Sequence, residues 1–302
     1  MLAEKETELV DAEVRARALR VAAIVARKAG IPRTEPVVLS CSRHVCVLLP
    51  ELSTVARIGP ATAADAASAI RELAVTRHLF QAGAPVVPPH EDMPSEPWVE
   101  EGMMVTLWPY VAHESAGYDD QNKVARAAHA LRRVHDALAD YRGELPSYRE
   151  KIDGCVALLR GQDAPPTLAA DDRRFLLSTY ELLADSLMTL SVGMSPIHGD
   201  AHMGNVFFAA GGPLWTDFEA ACLGPREWDA AGVLHPAAFQ PLDPQVYRVM
   251  LGLRSLCVTV WCSALAADPD KRAAAQYHLA YLKEHYAMGA TATHSGTRSH
   301  SH

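Results

Sequence analysis

The chain has 302 residues, 49% of them hydrophobic and 21% charged, with a formal net charge of −8 at neutral pH. This is the composition of an ordinary globular protein, long enough for one large or two modest domains, and its acidity speaks against nucleic acid as a partner. No apolar run reaches the roughly 18 residues of a membrane span, the start MLAEKETELVDAEV lacks the basic-then-apolar order of a signal peptide, and six Cys without zinc-like spacing fit reduced thiols in the cytoplasm.

Residues 4–29 read as a helix, with Val10, Val14, Ala18, Val21 and Val25 at steps of three and four and with Gly30 and Pro32 ending the pattern. Three apolar, β-branched pieces follow at hairpin spacing: PVVLS (36–40), HVCVLLP (44–50) and STVARIG (53–59). A helix over about 62–82 is expected to bury Ala66, Ile70, Leu73 and Phe80. The Pro-rich VVPPHEDMPSEP is loop, and MMVTLWPYV (103–111) is a buried strand running into a connector. Thereafter the pattern is helical. Val124, Ala128, Leu131, Val134 and Leu138 make one stripe, 171–190 another helix, and 244–286 two more. A sheet with a helix, then a helical remainder, predicts an α+β protein of two lobes: 1–107, and 108–290 with a disordered tail over 291–302.

One stretch, IHGDAHMGNVFFAAGGPLWTDFEA (197–220), interrupts the helices and carries the chemistry. His198, Asp200 and His202 form an HxDxH cluster that a metal-dependent hydrolase would use, with Asp217, Glu219 and His235 as further ligands. A second reading uses more of the stretch. Asn205 follows Asp200 by five, a short strand (Val206–Phe208) and a turn follow, and a second strand (Leu214–Thr216) delivers Asp217. Phosphoryl transfer needs a carboxylate at the acceptor hydroxyl and an Asn and an Asp to hold Mg²⁺ on the phosphates. A third reading keeps the nucleotide and drops the chemistry, as in a pseudokinase.

HGDAHMGN followed by TDFE resembles the HGD-x4-N and metal-binding segments of the aminoglycoside phosphotransferase family, small-molecule kinases of protein-kinase-like fold. The resemblance runs over roughly 36–233 and implies a small N-lobe of antiparallel sheet plus helix and a larger helical C-lobe. It implies Asp200 as the catalytic residue and Asn205 and Asp217 as Mg²⁺ ligands. ATP or GTP would be held by Arg57 of VARI (55–58), its helix partner Glu72, Ser42 of the glycine-less loop SCSRHVC (40–46), and Trp108 and Tyr110 of the hinge-like VTLWPYV (105–111). LRRVHDAL (131–138) resembles the helix preceding the catalytic loop, and Asp229 of GPREWDAAG (224–232) would anchor that loop. His202 and Glu219 are candidates for substrate contact, the alternatives being a loop-stabilising His and a metal-assisting or solvent-facing Glu. The implied activity is transfer of the γ-phosphate to a hydroxyl of a small polar or cationic acceptor, an aminoglycoside or other antibiotic among them.

Overall fold

The computed structural model describes residues 2–28, 30, 33–41, 44–162 and 164–287, with side chains from residue 12 onward. Ser42 and the 291–302 tail lie outside the described residues. In chain order the elements are α1 (Leu2–Lys28), β1 (Val37–Cys41), β2 (Val45–Leu49), β3 (Thr54–Pro60), α2 (Ala63–Gln81), β4 (Trp98–Glu100), β5 (Met103–Pro109), α3 (Gln121–Leu138), α4 (Arg149–Arg160) and α5 (Ala170–Met188). Then come β6 (Ser195–Ile197), β7 (Val206–Ala209), β8 (Gly212–Trp215), β9 (Cys222–Gly224), α6 (Arg226–Val233), α7 (Pro244–Ala264) and α8 (Pro269–Tyr286). The short strands β4, β6 and β9 and the helix α4 fall where the sequence pattern shows no element.

The chain forms two compact units. One holds the residues up to Glu144 together with Met203–Ala221; the other holds Leu145–His202 and the residues from Cys222 on. This division differs from the boundary at 107 expected from the sequence. Helix α3 and the β7–β8 hairpin group with the sheet.

In the first unit five antiparallel strands run in the order β1-β2-β3-β5-β4. Alternate residues of β2 and β3 are buried, as a sheet with one covered face requires. Val45, Val47, Leu49, Ala56 and Ile58 share a core with Ala18, Val21, Ala22 and Val25 of α1. Helix α2 starts where the Thr62 side chain accepts from Asp65 N, a normal N-cap. Its buried face is not the one expected. Leu73 is buried, but Ile70 and Phe80 are exposed, and Asp65 and Glu72 turn inward instead. Both inward acids have partners: Thr62 Oγ1 donates to Asp65, and Arg57 donates to Glu72. Pairing offsets part of the penalty that would otherwise keep a carboxylate at the surface.

The second unit is a helical packing around α7, whose Met250, Leu253, Leu256, Cys257 and Val260 are buried with Ile152, Leu159, Leu176, Leu183, Trp228 and Leu282. Helices α7 and α8 each begin with Pro at the first turn behind an Asp cap, Asp243 and Asp268. Proline's fixed φ and missing N–H cost nothing there. The two-stranded β6–β9 pairing runs Ser195–Ile197 against Cys222–Gly224 and delivers the chain into HGD. All six cysteines are free thiols. Among the described residues, no helix is long and apolar enough to cross a membrane.

Candidate functional site

In the first unit the chemistry gathers around one guanidinium. The pleat of β3 sends Ala56 and Ile58 into the core, which leaves Arg57 on the opposite face. Arg57 Nη1 donates to both carboxylate oxygens of Glu72, at 3.0 and 2.9 Å. Its Nη2 donates to Asp217 Oδ1 at 3.2 Å and to Glu219 Oε2 at 2.7 Å. The His44 ring lies alongside, with Nδ1 accepting from Arg57 Nε at 3.3 Å. That ring packs over Gly59, where a Cβ would come within 2.3 Å of it. Burial works against the charge of Arg57, yet the carboxylates of Glu72, Asp217 and Glu219 outweigh it and raise its pKa. Burial likewise pushes the Glu72 carboxyl up, to about 7, against the pull of Arg57.

Asn205 and Asp217 come together because they close one hairpin. Val206 pairs with Trp215 in the β7–β8 register, and Thr216 donates to the Asn205 carbonyl from its N (3.0 Å) and Oγ1 (3.3 Å). Asp217 then turns into a left-handed conformation, φ 64° and ψ 60°, which short polar side chains tolerate better than most. Arg71 of α2 fixes the next turn by donating to the Glu219 carbonyl at 2.7 Å. Asn205, Asp217 and Glu219 offer only oxygen donors, a set that fits a hard divalent cation such as Mg²⁺. Trp108 stands opposite Val55, and Thr106 opposite Arg57, in the β3–β5 register. Trp108 thus occupies the Arg57 face of the sheet, its Nε1 donating to Thr106 Oγ1 at 2.9 Å. The Tyr110 side chain is exposed just past the strand.

In the second unit the HGD segment is held from several directions. Asp229, fully buried on α6, accepts from His198 N at 2.8 Å and from Gly199 N at 3.0 Å. This is the anchoring anticipated for Asp229. Gly199 sits at φ 79°, where a side chain would be strained, and its carbonyl accepts from Trp228 Nε1 at 2.9 Å and Lys151 Nζ at 3.2 Å. Asp200 follows, with Arg254 Nη2 at 3.3 Å and Lys151 Nζ at 4.0 Å from its Oδ1, and His202 Nε2 at 3.9 Å from its Oδ2. Burial alone would raise the Asp200 carboxyl. Lys151, Arg254, His202 and His198 overcome it and hold the group well below the usual carboxylate range. Arg254 also donates to the Ala201 carbonyl at 2.7 Å and lies over the Trp228 ring. Gly232 makes room for this: a Cβ there would stand 1.9 Å from the Ala201 oxygen and 2.7 Å from Arg254 Nε.

Residues 45–286 match the phosphotransferase enzyme family known as APH. The chain belongs to that family. Its fold is the kinase-like α+β fold expected, as solved structures attest at low identity. Amicoumacin kinase hAmiN in complex with AMP-PNP, Ca²⁺ and Ami is 15% identical over 87% of this chain and 93% of its own, with a TM-score of 0.62. A choline/ethanolamine kinase family protein from Mesorhizobium loti is 17% identical over 90% and 94%, at 0.63. The GDP complex of wild-type aminoglycoside 2'-phosphotransferase-IIIa is 15% identical over 88% and 98%, at 0.66. No curated protein matches the chain in sequence. As a member of the APH family the chain is a phosphotransferase with a hydroxyl acceptor.

The hydrolase alternative gives way to the family match over residues 45–286, which makes the chain a phosphotransferase. Among the described residues no three His, Cys, Asp or Glu side chains are placed to hold a metal ion. His198 is buried, with its Nδ1 accepting from Asp200 N at 3.3 Å, and this spends it on loop shape. Sequence reading missed Lys151, His44 and Arg254. Only Arg254 left a signal, as a lone cation within the apolar run VMLGLRSLCVTVW of α7. A buried cation in such a run needs a carboxylate or carbonyl partner.

Two outcomes follow for stability. Arg57→Met strands the buried Glu72 carboxylate and is expected to cost about 3–5 kcal/mol in urea denaturation. The double variant Arg57→Met/Glu72→Met recovers much of that loss, so the two changes are far from additive. Gly232→Ala drives a methyl into the Ala201 carbonyl and Arg254, with an expected loss of about 1–3 kcal/mol. The thermal midpoint checks this, and an unchanged midpoint would show that the HGD loop yields freely.

Proposed function

We propose that the protein transfers the γ-phosphate of ATP or GTP to a hydroxyl of a small polar molecule, with Mg²⁺ on the donor, in the cytoplasm where that donor is available. One observation carries the reading: a strand Arg bonded at once to a helix Glu and to the Asp that ends the β7–β8 hairpin. A triphosphate needs a fixed cation and a carboxylate-held metal side by side. Neighbours named as amicoumacin kinase, choline/ethanolamine kinase family protein and aminoglycoside phosphotransferase support a small-molecule acceptor, an antibiotic among them.

In this reading Arg57, oriented by Glu72, grips phosphate oxygens as a permanently charged donor. Trp108 and Tyr110 line the base. Asn205 and Asp217 hold Mg²⁺, which when bound neutralises charge on the phosphates; Glu219 assists. The acceptor oxygen bonds the γ-phosphorus as the bond to the bridging oxygen breaks, and the diphosphate leaves with that electron pair. Asp200 accepts a hydrogen bond from the acceptor hydroxyl and aims it for in-line attack. Its depressed pKa makes it a weak resting base. The proton therefore moves late, once the forming O–P bond has acidified the hydroxyl. His202 stands at the rim of this carboxylate and contacts the acceptor.

Asp200→Asn keeps shape and hydrogen-bonding reach but removes the charge. Its transfer rate, read as ADP release, is expected to fall about 10²–10⁴-fold while nucleotide affinity stays near that of the parent. Transfer at the parental rate in Asp200→Asn would overturn the assignment.

A further inference from the structure

The proposed transfer leaves the acceptor's charge open, and the second unit constrains it. Lys151 of α4 reaches the HGD loop with its ammonium 4.0 Å from Asp200 Oδ1, bonded to the Gly199 carbonyl and poised 5.4 Å above the centroid of the Trp261 ring. An aromatic face beside a carboxylate is the arrangement that draws a quaternary or primary ammonium. Here a protein cation already fills it. Arg254 adds a second fixed charge 3.3 Å from the same carboxylate oxygen. Two cations therefore face the Asp200 carboxylate, with His202 3.9 Å from its other oxygen, while Asp229, the second carboxylate on this loop, is engaged by the backbone N–H groups of His198 and Gly199. A third ammonium brought within about 4–5 Å would meet repulsion that the single carboxylate cannot offset.

Resting on the transfer reading above, we propose that Lys151 holds the place a substrate ammonium would take, so that the acceptor carries a neutral or anionic group next to its reacting hydroxyl. The chain's net charge of −8 is a property of the whole surface and does not describe this point, where two cations face the carboxylate. Lys151 is then a specificity-determining residue, and substrates with an amine beside the hydroxyl are rejected by like charge rather than by size.

Three acceptors of matched shape and different charge test it: lactate, 1,2-propanediol and 1-amino-2-propanol, each with ATP and Mg²⁺ at neutral pH, read as ADP release above the rate with water alone. The parent protein should use lactate and the diol at least roughly tenfold better than the amine. Lys151→Glu should reverse the order, and Lys151→Met should flatten it, with thermal melting confirming that each variant is folded. Preference for the amine in the parent overturns the inference, as do equal rates with all three, no acceleration by any included. An order left unchanged by folded Lys151→Glu also overturns it. Failure of the transfer reading looks different: no Mg²⁺-dependent ADP release from the parent with any acceptor or with water.

Discussion

Arg57 is the charge on which the first unit depends. One guanidinium, only 15% exposed in its side chain, answers Glu72 of α2 and both Asp217 and Glu219 at the end of the β7–β8 hairpin. Removing that charge would leave a carboxylate buried on α2 and two more crowded at the hairpin end, which a protein interior tolerates poorly. The β3 register, the inward turn of the α2 acids and the left-handed turn at Asp217 all serve to bring carboxylates within reach of that cation. Three acids around one base also leave a local excess of negative charge, and a divalent cation on oxygen donors is what such a site accepts most readily.

The second unit treats Asp200 and Asp229 in opposite ways. Asp229 is fully buried and satisfied by backbone N–H groups, so its charge goes into fixing the turn at Gly199. Asp200, the residue after Gly199, is met instead by the side chains of Lys151 and Arg254. Asp229 holds the loop shape while Asp200 keeps a carboxylate oxygen available at a partly exposed position. The closeness of Gly232 to the Ala201 carbonyl shows how tightly helix and loop are fitted.

Much of this was legible in the chain because the informative spacings are local. HGD-x4-N and the following strand pair fit within about two dozen residues, and hairpin geometry alone brings Asn205 to Asp217. The Arg57–Glu72 pairing was legible only through the family resemblance of VARI and the helix after it, and the structure shows the two bonded. The partners of Asp200 were not, since Lys151 and Arg254 come from helices roughly fifty residues away on either side, and nothing in a linear pattern says which helices meet. The buried face of α2 was misjudged for the opposite reason. Counting apolar residues favoured Ile70 and Phe80, while the Thr62 hydroxyl holds Asp65 and the ion pair with Arg57 holds Glu72 on the inward face. Three-residue strands such as β4, β6 and β9 are too short to show a period.

The central claim is that the carboxylates around Arg57 receive a metal-bound nucleotide. Calorimetric titration of ATP into the protein, with and without Mg²⁺, tests it most directly. The account predicts binding that is tight only with Mg²⁺ and a Mg²⁺ dependence that Asp217→Asn abolishes. Equal ATP affinity with and without the metal, or a Mg²⁺ dependence that survives Asp217→Asn unchanged, would contradict it.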